Sequence, residues 1–266
     1  MQPMLNIAVR AARAAGSVIA RALAQGGGYH IDVKGTNDFV SEVDRNAENE
    51  IIRTIRRAYP HHGILAEESG SQGDDEFVWV IDPLDGTTNF LHSFPQFAVS
   101  IAVKHRGRLE QAVVYDPLRQ ELFTASRGAG AQLNDRRIRV SGIKGLEGAL
   151  LGTGFPFRLQ QHMDDYLATF RALFNQQVTD IRRAGSAALD LAYVAAGRLD
   201  GFWELGLAEW DIAAGALLVR EAGGLVGDFV GGENYLDSGN IVSGNAKVFK
   251  GILQAIQPCL SPGLKR

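Results

Sequence analysis

Residues 79–92 read WVIDPLDGTTNFLH, and how this stretch folds decides the rest of the chain. An apolar run ends on Asp82, and a second carboxylate, Asp85, follows three positions later. Asp is a poor strand residue and is seldom buried unpaired. In an extended strand the two Cα atoms would stand roughly 10 Å apart. Asp at the first and Pro at the second position of a turn would bring them within about 7 Å. The strand is therefore expected to end at Asp82, with the chain folding back and both carboxylates facing one point at its C-terminal end.

Two carboxylates and a backbone carbonyl such as that of Leu84 are the hard oxygen donors a magnesium-type cation takes. A carboxylate shared between two cations about 3.5–4 Å apart is the arrangement used for in-line displacement at phosphorus. Gly86-Thr87-Thr88 reads as a helix start, whose first amides lack intrahelical partners and favour an anion. Taken singly, these features fit a tight turn with an Asp or Thr helix cap. Together they point to a phosphate site beside metal. Other acidic residues are candidates for the same site. Glu67 and Glu68 end an apolar run, and strand alternation lets only one face it. Asp211 precedes an apolar helix and reads locally as an N-cap. Glu42 and Asp44 read as charges at a helix start. Spacing alone does not bring these groups together.

Around the motif, Leu5, Ala8, Val9, Ala12, Ala15, Ile19 and Leu23 follow helical spacing, with GGG at 26–28 ending that helix. A polar stretch, DVKGTNDFVSEVD, leads to a second helix with Ala47, Ile51 and Ile55 on one face. GILAEE and FVWVID read as strands joined by a polar connection, SGSQGDDE. FAVSIAVKHRGRLEQAVVYD and ELFTAS form an antiparallel meander. The second half alternates strands (GALLGTGF, DGFWEL, GLVGDF, NIVSG) with helices at 161–174, 186–197, from Trp210 to the Gly223-Gly224 stop, and 246–257. A soft boundary near 140–148 divides an α+β half with the meander and acidic motif, 1–145, from an α/β half, 146–266, the two making one catalytic unit.

The 45% apolar and 21% charged fractions are those of a soluble globular chain, and a net charge of −3 gives no global basic footprint for nucleic acid or anionic membrane. The single cysteine, Cys259, excludes an internal disulfide and a cysteine metal cluster. Arg10, Arg13 and Arg21 interrupt the N-terminal apolar run, so no signal segment is read and a cytoplasmic protein is expected. His92 reads as a polar helix residue, since oxygen-rich magnesium sites seldom need imidazole, and His61-His62 as a solvated loop pair. GTGFPF at 152–157 lacks the third glycine and the helix context of a dinucleotide site. Arg182-Arg183 precedes a helix with little exposed polarity. It reads equally as a dimer contact or as surface charge at a strand end.

The blocks EE at 67–68, WVIDPLDGTTNFLH at 79–92 and WDIAAG at 210–215 together resemble the inositol monophosphatases, magnesium-dependent and lithium-sensitive phosphatases. MLNIAVRAARAAG, GTGFPF, RRAGSAALDLAYVAAGRLDGFWELG and LVREAGG extend the likeness to bacterial members over nearly the whole chain. The resemblance implies the layered αβαβα sugar-phosphatase fold, of α+β class, and two to three Mg2+ per site. It implies that Glu67, Asp82 and the Leu84 carbonyl hold one ion, and Asp82, Asp85 and Asp211 a second. Thr87 with Glu67 orients the attacking water, and Asp44 partners Thr87. Gly86 and Thr87 amides hold phosphate, and Asp85, Ala187, Glu204 and Asp211 lie on the substrate side. Lys34 matches a lysine of the catalytic set on a mobile loop that closes over the metals. A homodimer and a small phosphorylated polyol, myo-inositol 1-phosphate first, are implied. Fructose 1,6-bisphosphate, 3′-phosphoadenosine 5′-phosphate and histidinol phosphate are alternatives. Bacterial members also imply a protein-binding role in ribosomal RNA transcription antitermination, with RNA polymerase and Nus factors as partners. The acidic balance argues against strong independent RNA binding.

Overall fold

The computed structural model describes residues 3–25, 31–35, 38–157 and 159–265, with backbone alone for 31–35 and 38–41. GGG at 26–28 lies outside the described residues. Helix α1 (Pro3–Ala24) packs beside α2 (Glu42–Ala58), and between them the backbone forms an antiparallel pair, β1 (Ile31–Gly35) and β2 (Asp38–Ser41). That pair replaces the plain polar stretch expected there.

The first sheet holds β3 (Gly63–Ala66), β4 (Gly70–Gln72), β5 (Phe77–Asp85), β6 (Ala98–His105), β7 (Arg108–Asp116), β8 (Glu121–Ser126), β9 (Gly130–Leu133) and β10 (Arg136–Arg137). Its order is β10-β9-β8-β7-β6-β5-β3-β4, with only β3–β5 parallel. A short helix, α3 (Thr87–Leu91), separates β5 from β6. The β6–β7 turn places Arg106 and Gly107 both at positive φ, 51° and 78°, as a two-residue hairpin loop requires. The connection SGSQGDDE is not simply a loop. Its first part is edge strand β4, pairing Gln72 with Ile64 and Gly70 with Ala66. An exposed edge strand needs no apolar alternation, so the pattern could not reveal it.

The second sheet is built from β11 (Leu150–Thr153), β12 (Asp180–Arg182), β13 (Gly201–Glu204), β14 (Leu225–Gly227) and β15 (Ile241–Gly244), in the order β12-β11-β13-β15-β14. It too is mixed: β12, β11 and β13 run parallel, and β15 runs against β13 and β14. The helices are α4 (Met163–Phe174), α5 (Ala187–Ala195), α6 (Glu209–Glu221), α7 (Tyr235–Ser238) and α8 (Ala246–Ile256).

Three apolar clusters define five layers. Leu5, Ala12 and Ile19 of α1 and Ile51 and Ile55 of α2 bury against Trp79, Ile81 and Ile101. Val80, Ala102 and Val114, on the opposite face of that sheet, pack on α5 and α6, which also meet Phe202 and Ile241 of the second sheet. Leu151, Trp203 and Val242 then pack on α4 and α8. The architecture is αβαβα, as the resemblance implies. Helix α5 owes its apolar circumference to this central layer, where Ala187–Leu191 are all buried. No described helix is long and apolar enough to cross a membrane.

Strand alternation fixes what faces the central layer. Val80 faces α5 and α6, so Asp82, two positions on, faces them too. In β3, Ile64 and Ala66 face α1 and α2 while Leu65 faces the central layer. Glu67, continuing that alternation, falls on the Asp82 side.

Candidate active site

At Asp82 the ladder loses step. Asp82 pairs with Ser100 but Asp85 with Ala98, three positions on β5 against two on β6. The strand therefore bulges rather than ending at Asp82 as the turn chemistry suggests. Pro83 sits inside the bulge, where the missing N–H costs no ladder bond. The Leu84 amide turns inward and donates to Asp82 Oδ1 at 2.9 Å. The extra residue thus sends Asp82, the Leu84 carbonyl and Asp85 toward one side.

Gly86 caps α3 with φ 98°. A Cβ there would stand 2.9 Å from the Gln96 carbonyl and 3.2 Å from that of Gly185, so the position takes glycine for both conformation and space. The Thr87 hydroxyl lies 2.9 Å from Asp44 Oδ1 and 3.2 Å from the Leu84 carbonyl. Having one proton, it donates to the closer acceptor, Asp44. Asp44, fully buried in the first turn of α2, is thus joined to the motif across 43 residues. It is not the solvated helix-start charge its sequence context suggests.

Asp85 Oδ2 accepts from the Ser186 hydroxyl at 2.6 Å and the Ala188 amide at 2.7 Å. Ser186 is the N-cap of α5 and accepts from the Leu189 amide. Asn89 of α3 donates to the carbonyls of Gln96 and Ala184 at 2.7 and 2.9 Å, a second tie to the segment entering α5. Ser100, the register partner of Asp82, donates to the Trp210 carbonyl at 3.2 Å and so sets the start of α6 over the bulge. Asp211 is not the N-cap there. That position is Ala208, whose amide donates to Asp211 Oδ2 at 2.8 Å.

These elements enclose a cleft of about 340 Å3 lined by Glu67, Asp82, Leu84, Asp85, Gly86, Thr87 and Asp211 on one side, and by Gly154, Phe155, Phe157, Arg183, Ala187 and Glu204 on the other. Glu68 lies outside this lining, and its amide donates to Glu48. Asp82 is 2% exposed and Asp211 8%. Burial, then the charges of Glu67, Asp85 and Asp211, push the Asp82 carboxyl well above the usual range. Among the described lining residues Arg183 is the one cation. Four hard-oxygen carboxylates suit a divalent cation of the magnesium type. Among the described residues no three His, Cys, Asp or Glu side chains form a closed metal cage, so the fit rests on donor chemistry. Lys34 lies on β1, and its side chain is outside the described part of the structure.

On the far side Glu204 is half-buried against Gly154, where a Cβ would fall 2.0 Å from Glu204 Oε1. Burial, then Asp190, Asp211 and Asp85, push the Glu204 carboxyl up, and burial, then Asp85, does the same to Asp190. Ser186, Asn89, Phe155 and Phe157 line the cleft but carry no site role in the sequence reading. Only Ser186 carried a usable signal, a serine directly before an apolar helix. GTGFPF, rejected as a dinucleotide site, forms a wall of the cleft. His92 is the exposed C-cap of α3, away from the lining. His62 is not simply solvated: it stacks between Tyr59 and Phe77, and its Nδ1 accepts from Trp79 Nε1 at 3.1 Å.

A profile of the inositol monophosphatase family matches residues 1–261. The Nus factor SuhB of Pseudomonas aeruginosa is 61% identical, with all of both chains covered. Among solved structures, the extragenic suppressor protein suhB from Bartonella henselae superposes with a TM-score of 0.93 at 45% identity, covering 96% of this chain and 99% of that one. The inositol monophosphatase from Anabaena (Nostoc) sp. PCC 7120 gives 0.87 at 39% identity, over 98% and 97%.

Proposed function

Since the chain belongs to the inositol monophosphatase family, we propose that it hydrolyses myo-inositol 1-phosphate and similar polyol monophosphates in the presence of magnesium. The observation that carries this reading is the meeting, in one cleft, of four carboxylates with the glycine-initiated helix start at Gly86-Thr87. In this reading Glu67, Asp82 and the Leu84 carbonyl would hold one Mg2+, and Asp82, Asp85 and Asp211 would hold a second. When bound, the ions supply Lewis acidity to the phosphoryl oxygens and acidify water.

The chain's own groups do the positioning. Thr87 spends its proton on Asp44 and keeps lone pairs to accept from the attacking water, which Glu67 steadies from the other side. The amides of Gly86 and Thr87 hold phosphate oxygens. Asp85, the Ala187 region and Glu204 meet the ring hydroxyls, with Asp211 beside the ester oxygen. Water oxygen bonds to phosphorus, the ester P–O bond breaks, and the alcohol leaves with a proton. A homodimer in the cytoplasm goes with this reading. The test is phosphate release from inositol 1-phosphate against magnesium, with lithium as inhibitor and fructose 1,6-bisphosphate and 3′-phosphoadenosine 5′-phosphate as competing substrates. No release at any magnesium concentration would sink it.

A second reading is favoured by the 61% full-length identity to a relative named as a Nus factor. In it the chain also serves, by protein contact, in transcription antitermination with RNA polymerase and Nus factors. Complementation with an Asp85→Asn protein separates the two. If inactive protein restores ribosomal RNA synthesis, binding is the essential role. If only active protein does so, this reading fails.

A further inference from the structure

Of the groups read as metal ligands, Glu67 directly follows β3, and Asp82, Leu84 and Asp85 belong to β5, all in the first sheet. Asp211 alone among them arrives on a separate element, α6. Its place therefore depends on how the first turn of α6 sits on that sheet. Ser100 of β6 makes one tie, to the Trp210 carbonyl at 3.2 Å. Lys104 makes another, its Nζ lying 2.5 Å from Glu209 Oε1. Lys104 is four positions beyond Ser100 on the same strand and the same face, so their Cα atoms stand about 13 Å apart.

The Lys104 and Glu209 side chains are only 20% and 18% exposed, and Glu209 Oε1 itself is closed to solvent. A pair so enclosed is screened little by salt, and removing either partner strands the other. A glutamate in the first turn of a helix is favourable without any partner. Here it is drawn down onto the sheet instead. Successive residues of a helix turn by about 100°, so Glu209 and Asp211 leave α6 on roughly opposite sides. Glu209 meets β6 while Asp211 lines the cleft. Asp211 Oδ2 also accepts from the Ala208 amide, one residue before Glu209, so the tie and the carboxylate move as one turn.

Resting on the reading of Asp211 as a metal ligand, we propose that Lys104 and Glu209 are positioning residues. Their ion pair fixes the first turn of α6 over β6 and thereby the fit of Asp211 to magnesium.

The test is calorimetric titration of magnesium alone into the metal-free, full-length protein and its variants, with melting temperature measured alongside. Lys104→Met removes a cation and by charge alone would tighten magnesium. Glu209→Gln removes an anion and by charge alone would weaken it. Positioning gives both the same direction, about tenfold weaker binding, the usual cost of disturbing a group that orients a ligand. Lys104→Arg, which can rebuild the pair, should keep most of the affinity. Shifts of opposite sign in the two charge-removing variants overturn the inference. So does a lowered melting temperature with magnesium affinity held, which makes the pair a tie of the fold only. Should either of these variants fail to fold, Glu209→Asp decides, since it keeps both charges and shortens the tie by a methylene. Weaker magnesium binding by it supports positioning, and unchanged affinity overturns it. In each of those failures the unaltered protein still binds magnesium and the phosphatase reading stands. No magnesium binding by the unaltered protein would overturn that reading and this inference together.

Discussion

The Asp85 carboxylate is held by the first turn of α5, with the Ala188 amide 2.7 Å from Oδ2. A residue at the end of the first sheet is thereby fixed by the helix lying between the two sheets, 103 positions away. Asparagine keeps an oxygen that can accept from Ala188 and Ser186, but not the charge. Asp85→Asn is therefore expected to fold normally while phosphate release falls by about a thousandfold or more. Wild-type turnover of this variant at saturating magnesium would remove Asp85 from the metal site.

Ser186 both donates to Asp85 and caps α5. Ser186→Ala should cost about 1 kcal/mol of stability through the lost cap. It should also raise the magnesium concentration needed for half-maximal activity, because Asp85 loses the restraint of the Ser186 hydroxyl. Denaturant unfolding and a magnesium titration measure the two effects separately. A stability loss with an unmoved magnesium midpoint would make Ser186 a cap only.

Thr87 and Asp44 form the other long-range pair, at 2.9 Å. Thr87→Val preserves shape and deletes the hydroxyl. It should lower kcat by about a hundredfold or more with little change in KM, while Thr87→Ser stays within about tenfold of wild type. A Thr87→Val protein of normal kcat would show that the hydroxyl serves the fold and not the water.

The parts of this site that could be read from sequence are those whose cause is local. Asp-Pro-Leu-Asp announced a break in the strand, and Gly86-Thr87 a helix start. The bulge was misread as a turn because both send two carboxylates to one side, and only the register against Ser100 and Ala98 tells them apart. Asp211 as N-cap was misread by three positions, because the real cap, Ala208, has no side chain to advertise it. Strand β4 was lost because an edge needs no apolar pattern. The convergence of Glu67, Asp44 and Asp211 was not legible from spacing. It follows for Glu67 from strand alternation in β3 and β5, for Asp211 from Ser100 seating α6, and for Asp44 from the hydrogen bond of Thr87 reaching α2.

Gly154 lies where any Cβ would strike the Glu204 carboxylate, 2.0 Å from Oε1. Gly154→Ala must push Glu204 aside. If Glu204 meets the ring hydroxyls, KM for inositol 1-phosphate should rise about tenfold, the worth of one charge-assisted hydrogen bond, with a smaller change in kcat. An unchanged KM would place Glu204 off the substrate.

Asp190 gives a test that needs no substrate. It is 2% exposed, and burial first, then the charge of Asp85, holds its carboxyl well above the usual range. Below the unfolded value, about 3.9, it is protonated in both states and carries no penalty. As pH rises past that value the unfolded chain ionises freely while the folded protein retains the proton. Stability is therefore progressively lost until pH passes the folded value. Asp82 and Glu204 shift the same way. His62, whose pKa is lowered by burial, works in the opposite direction below about 6.5. Subtracting wild type from Asp190→Asn at each pH cancels that contribution. In metal-free buffer the variant should gain melting temperature relative to wild type as pH rises from 5 toward 8, with the smallest difference at the acid end. Magnesium should raise both curves by binding the folded state. A difference that stays flat with pH, or shrinks as pH rises, would mean that Asp190 does not hold its proton in the folded protein.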